Sequence, residues 1–480
     1  MFRVTTAGTS TTEPTWPAGN NATVTAGATF TNVSGQSAYG WSAAAGTLYC
    51  MGTGSSNGRP VVGDRMFLGS DHSENLSGAL TWGFSGTTGT AAYGVIQILS
   101  VNRAGSVPPV AADALSGAAI TDTVSTTQNM TLDAYCNMYW QGITFTLAGT
   151  PSSNAIIALV SGIGRKGHYF KNCAFVLANT TGTSGYVGNS ANAPAKAVFD
   201  NTTVQFALAA QFVGAPAGIF DLQWINTPSA IHGSTIPSTL FSVTSIGTSL
   251  ITCRGVDISA VTGTLATLSS SGGGDVKMLL DSCGIASGVV RLATPLATSA
   301  TSDEAELVGC YDGTNTINER YTAAGAVTTD RTTYLTGGAA DDIGSFSLKL
   351  VSSTRSDFAT MPLDSFWIDV ENIVTGASKT ATVEIVSSAS LNNNDIRLLL
   401  EYQGTSGSPV ASFADSLASV LTAASALPTS TATWNSPPST PVTQHLQVTF
   451  TPQVSGRVRG LVRLGKTSTT VWVNPQIAIT

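Results

Sequence analysis

Seven apolar-led segments recur through the middle of this 480-residue chain, and no other feature narrows the possible folds so far. They begin at Trp140, Phe170, Phe199, Phe220, Leu250, Leu280 and Leu307, with steps of 30, 29, 21, 30, 30 and 27 residues. Three positions on stand Ile143, Cys173, Thr202, Gln223, Cys253, Cys283 and Cys310. Five positions on stand Phe145, Phe175, Val204, Ile225, Gly255, Ile285 and Asp312. Inward residues at offsets 0, 3 and 5 do not fit one straight strand, whose faces alternate with period two. They fit two strands joined by a one-residue corner at offset 2, where Gly142, Asn172, Asn201, Leu222, Thr252, Ser282 and Gly309 stand. Such a corner needs a left-handed backbone, which Gly and Asn tolerate best. A repeat of this length, burying its apolar side chains on the next copy, is the scale of a coil in a parallel β-helix. Coincident spacing in a β-sandwich is the alternative, and the short step of 21 residues and Asp312 are what speak for it. On the β-helix reading, Cys173, Cys253, Cys283 and Cys310 form an internal ladder of buried, unpaired thiols.

Composition agrees with an all-β chain. Thr and Ser number 67 and 54, while charged residues are 10% of the total, so the Glu, Lys and Arg that cover helix surfaces are scarce. Apolar residues at 42% and a net charge of −7 exclude a disordered chain. The 21 Lys and Arg form no basic run, which leaves out nucleic acid as a partner. No apolar stretch has the roughly 18 residues of a membrane helix. Met1-Phe2-Arg3-Val4-Thr5-Thr6 lacks the hydrophobic core of a secretory signal, so the widely spaced cysteines read as thiols rather than a disulfide framework.

Three regions follow. Residues 1–128 hold short strand-like runs (23–30, 65–68, 93–101) broken by Gly and Pro, and read as an N-terminal β domain that could cap the β-helix and anchor it. Residues 129–342 are the right-handed parallel β-helix. Residues 343–480 carry seven strand candidates, at 346–351, 366–370, 380–386, 396–402, 445–450, 458–464 and 471–479, and read as an antiparallel, jelly-roll-like β-sandwich. Within this last region, residues 411–427 read as a short helix.

The sequence carries no residue expected to be catalytic, cofactor-binding or metal-binding. Asp200, Asp221 and Asp281 share one offset on the proposed coils and are the best carboxylate candidates for glycoside chemistry, which needs two such groups about 5–10 Å apart. That offset is outward, where solvated Asp is the plainer account. Asp303-Glu304-Ala305-Glu306 reads as a solvated loop, and Asp71-His72-Ser73-Glu74 as a polar turn. His72, His168, His232 and His445 lie at no metal-ligand spacing. Trp16, Trp41 and Trp82 could stack on sugars but read as core. The chain is therefore expected to be non-enzymatic.

Two stretches carry a resemblance. Thr12-Glu13-Pro14-Thr15-Trp16-Pro17, with residues 22–30 after it, is similar to an element recurrent in structural proteins of tailed bacteriophages. Residues 62–74 and 101–109 resemble the approach to the β-helix in phage virion proteins. The resemblance spans roughly residues 10–315. It implies a structural component on the outer surface of a virion assembled in the host cytoplasm, with the major capsid protein or other virion proteins as partners and self-association into a homo-oligomer. A capsid decoration (cement) protein or head fibre is the first expectation. The alternative is a tailspike or tail fibre that binds, and could degrade, a host surface glycan.

Overall fold

The computed structural model describes most of residues 63–330, three short strands before them and, beyond them, mainly the strands between 347 and 480. Two compact units divide the chain, one of residues 1–294 with 310–315 and the other of 295–309 with 316–480.

The first unit is built from three parallel sheets that the chain visits in rotation. On the first face lie Arg65–Gly69, Val95–Val101, Asn137–Gln141, Gly167–Lys171, Ala195–Asp200, Phe220–Thr227, Ser249–Val256 and Val276–Asp281, each parallel to the next. Ser73–Leu76, Ala118–Asp122, Ile143–Leu147, Ala174–Leu177, Thr203–Phe206 and Ile231–His232 make the second face. The third runs from Leu80–Gly83 through Asn129–Ala134, Ala155–Ser161, Gly185–Gly188, Gln211–Ala215, Thr239–Ser245 and Thr264–Ser270 to Val290–Leu292. Three faces, each advancing one ladder step per circuit, make a parallel β-helix. A separate antiparallel sheet joins Phe2–Thr6, Thr29–Asn32 and Thr23–Thr25.

The interior shows why the coils stack. Period-two alternation sends every second side chain inward, and in-register pairing places like on like. Ile98, Trp140, Phe170, Phe199, Trp224, Cys253 and Leu280 form one such stack, all essentially inaccessible to solvent. Phe145 lies on Phe175 with ring centroids 5.5 Å apart, and Phe199 meets Trp224 edge-on at 5.7 Å. Burial of each such ring contributes about 1.5–3 kcal/mol. The indole N–H of Trp224 donates to Thr202 O at 2.8 Å, so the ring enters the core with its polar atom satisfied. On the third face two coils approach so closely that a Cβ on Gly188 would lie 1.8 Å from Gly214 O. Only glycine fits there.

The structure moves the register of two coils. Trp224, not Phe220, stacks on Phe199, and Cys253, not Leu250, stacks on Trp224. Phe220 pairs with Ala195, near the start of the same strand, and Leu250 is 42% exposed. The steps from Trp140 become 30, 29, 25, 29 and 27 residues, and the anomalous 21 disappears. With the register corrected, Asn226 and Gly255 take the corner positions that Leu222 and Thr252 were expected to hold. Gly142, Asn172, Asn201, Asn226, Gly255 and Ser282 then all stand in the left-handed region, with φ between 47° and 71°. At the position expected of Ile225, Ile231 pairs with Val204, and Asp312 accepts the N–H groups of Thr314 and Asn315 in a turn. The cysteine ladder is corrected too: Cys253 belongs to the stack before the corner, whereas Cys173, Cys283 and Cys310 follow it. Cys136, Cys173, Cys253, Cys283 and Cys310 are buried and joined in no disulfide, and Cys50 lies outside the described residues.

The second unit is antiparallel. Gly325–Asp330, Ser347–Ser352, Thr470–Ile479, Lys379–Ser387 and Gln444–Phe450 pair in that order. Ala359–Pro362, Gly456–Leu464, Ile396–Gly404 and Pro409–Ala414 form a second sheet, with Ile368–Asp369 beside Gly456–Leu464. Each of the seven strand candidates of this region contains a strand, the one at 366–370 being described only at Ile368–Asp369. Val383, Ile385 and Leu446 of one sheet share a buried cluster with Ile396, Leu398 and Val462 of the other. The helix expected at 411–427 is not formed where the segment is described. Pro409–Ala414 and Leu421–Thr422 are strands, because both pair with neighbours that supply the hydrogen bonds a helix would have made internally. The rest of that segment lies outside the described residues.

Candidate ligand-binding face

The residues between the inward ones on the first face point outward, and their order follows from the ladder. One outward file reads Gln97, Tyr139, Tyr169, Val198, Gln223, Thr252, Leu279. The next reads Leu99, Gln141, Lys171, Asp200, Ile225, Arg254, Asp281. Two coils bring Tyr139 and Tyr169 into a stack, with centroids 5.5 Å apart and 22° between the planes. Their hydroxyls reach across to the second file. Tyr139 donates to Gln141 Oε1 at 3.0 Å and Tyr169 to Asp200 Oδ2 at 2.8 Å. The other oxygen of Asp200 accepts from the corner residue Asn226 at 3.1 Å, and Asn201 Nδ2 donates to Asn172 Oδ1 at 2.8 Å.

This wiring fixes which atoms remain for a ligand. Both phenol protons are committed inward to the network, so each Tyr oxygen offers a lone pair outward. Gln141 keeps its NH2 group as a donor. Burial, followed by the hydrogen bond to Asp200, pushes the Tyr169 hydroxyl up to about 12, and burial with the charge of Asp200 raises Tyr139. Both phenols therefore stay protonated across the neutral range. The result is a half-buried aromatic pair edged with carboxylate and amide groups.

The three aspartates do not converge. Asp200 and Asp281 share a file but stand three ladder steps apart, about 14 Å at about 4.8 Å per strand. Asp221 pairs with Lys196 rather than sharing that file, and its Oδ1 accepts the Leu250 N–H at 3.1 Å. Its misplacement came with that of Phe220. Asp281 accepts from the Ser282 hydroxyl and from Arg254, each at 2.8 Å, and these in that order hold its carboxyl below the usual range.

Other candidates fall as follows. His168 is an inward residue, 2% exposed, whose Nδ1 accepts from Trp140 Nε1 at 3.3 Å. His72 lies 3.4 Å from Glu74, which is buried at an inward position beside Ile120. His232 Nε2 bonds Ser229 O at 3.1 Å. His445 lies in the strand Gln444–Phe450. Asp303 is buried and Glu304 opens the strand Glu304–Tyr311, where it binds Arg320 at 2.5 Å, so this segment is not the solvated loop expected. Trp82 lies in the strand Leu80–Gly83, and Trp16 and Trp41 lie outside the described residues. The outward tyrosines were missed because only acids were sought at outward offsets. The signal was available, since Tyr139 and Tyr169 are 30 residues apart and each directly precedes a stack residue.

No protein-family model matches the chain, and no curated protein matches it. Among solved structures, the chain is similar to the enzymatically active domain of tailspike protein 4 from bacteriophage CBA120, at 10% identity, over 96% of this chain and 70% of that one, with a TM-score of 0.23. This likeness lends nothing to the capsid decoration, cement or head-fibre expectation. It also corrects the expectation that the chain is non-enzymatic: the protein matched is an enzymatically active domain, and that assignment is withdrawn.

Proposed function

We propose that the chain is a tailspike-type component of a bacteriophage particle whose first β-helix face binds a host surface polysaccharide. The observation that carries this reading is the Tyr139–Tyr169 pair with the Asp200–Asn226 network at its edge. A sugar ring has an apolar face and a rim of hydroxyls that both donate and accept, and a half-buried aromatic pair edged with amide and phenol oxygens complements both. The resemblance of residues 62–74 and 101–109 to phage virion proteins supports the same class. On this reading the chain stands on the outside of the particle, other virion proteins and further copies of itself are its partners, and the two C-terminal sheets close as a sandwich.

Binding of purified host surface polysaccharide to the full chain tests the proposal. Tyr139→Ala removes one ring, and Asn226→Gly removes an amide while keeping the left-handed corner. Each is expected to weaken binding about tenfold or more, as loss of a central contact does. Wild-type protein that binds no host polysaccharide would contradict the function, and unchanged binding by both variants would move the site off this face.

A further inference from the structure

We infer that Cys283 and Cys310 are a latent disulfide site, placed by the coil register to close into a covalent tie between neighbouring coils when a hydroperoxide reaches them. Gly284 bridges Tyr311 in parallel, the Tyr311 N–H donates to Cys283 O at 2.9 Å, and the Ile285 N–H donates to Tyr311 O at 2.9 Å. Cys283 and Cys310 are therefore ladder neighbours. Such neighbours stand about 4.8 Å apart at Cα, within the roughly 4.4–6.8 Å that a disulfide spans. Both side chains point into the β-helix, 1% and 0% exposed. Cys283 Sγ donates to Asp281 O at 3.4 Å and Cys310 Sγ to Leu280 O at 3.3 Å.

The register also says which pair forms. Cys253 pairs with Leu280, and it is Val256, three positions on and past the Gly255 corner, that stands beside Cys283. Cys173 has Thr202 beside it on the following coil, the Thr202 hydroxyl accepting its N–H at 3.3 Å. Neither offers the in-register approach of Cys283 and Cys310.

The chemistry balances with hydrogen peroxide as the oxidant. One sulfur, as thiolate, attacks a peroxide oxygen, the O–O bond breaks, and a sulfenic acid and water form. The second sulfur attacks that sulfenic sulfur, an S–S bond replaces the S–O bond, and a second water leaves. Two thiols and one peroxide give one disulfide and two waters, with two electrons passing from sulfur to oxygen. The neighbouring Cys310 thiol, with burial after it, holds Cys283 above the ordinary thiol range, so its thiolate is scarce and the tie closes slowly.

Peptide mapping of the full-length protein tests this. Native protein is held in millimolar hydrogen peroxide, quenched, denatured in an alkylating agent, digested and weighed. The expected product is a peptide pair linked through Cys283 and Cys310, two hydrogens lighter than its parts and separated by dithiothreitol. The oxidised protein should melt several degrees higher than the reduced one. Cys253→Ala should leave the link in place and Cys310→Ala should abolish it. Recovery of Cys283 and Cys310 as alkylated thiols, as sulfinic acids without a link, or linked to Cys253 would overturn the inference. The wild-type map decides alone, so a variant that fails to fold leaves the test intact.

Discussion

An asparagine at φ near 50° does what other L-residues do only at a cost of about 1–2 kcal/mol, and the corners of this β-helix are made of that difference. Asn201→Gly loses the 2.8 Å bond to Asn172 but keeps the backbone, and should change stability by no more than about 1 kcal/mol. Asn201→Val loses the bond and adds backbone strain, and should cost about 2–3 kcal/mol in chemical unfolding. Equal costs would mean that the corner conformation is not what Asn201 supplies. Tyr169 makes a prediction of the opposite kind. Its hydroxyl ionises near 10 in an unfolded chain and near 12 in the fold, so folding disfavours the phenolate. The stability it lends is present below about pH 10 and is lost as pH rises toward about 12. Tyr169→Phe should flatten the alkaline fall of the melting temperature but not remove it, because burial raises Tyr186 to about 12 as well.

At the scale of the strand, hydrophobicity alone left two coils out of phase. Phe220 and Trp224 are inward residues of one strand, and choosing the first of them moved Leu222 into the corner and Asp221 into the acid file. The corner chemistry was the better phase marker. Asn226 and Gly255 stand two positions after Trp224 and Cys253, as Asn172 and Asn201 stand after Phe170 and Phe199. The correction has an energetic signature. Trp224→Ala should cost about 3–5 kcal/mol, as removal of a fully buried aromatic side chain does, whereas Leu250→Ala at an exposed position should stay within about 0.5 kcal/mol. Unfolding midpoints in denaturant measure both, and the reverse ranking would restore Leu250 to the stack. The outward site was less legible than the core because its members converge from three coils. Tyr169 and Asn226, with Asp200 between them, lie 57 positions apart in sequence, and only the corrected register brings the three together.

For the whole molecule, what the sequence disclosed depended on how far apart paired residues lie. The C-terminal strands were legible because each alternates within one contiguous run, as in Leu446, Val448 and Phe450. The segment 411–427 was misread because its Ala and Leu content favours a helix locally, while pairing with Ile396–Gly404 and Gln444–Phe450 makes it strand where it is described. On the proposed function, the parallel β-helix presents a polysaccharide-binding surface on its first face. Hydrogen–deuterium exchange of the full chain, with and without host surface polysaccharide, tests it most directly. Added polysaccharide should slow exchange in Asn137–Gln141, Gly167–Lys171, Ala195–Asp200 and Phe220–Thr227, and leave the second-face strands Ile143–Leu147 and Ala174–Leu177 unchanged. Protection confined to the second or third face, or no protection under any host polysaccharide, would contradict the account.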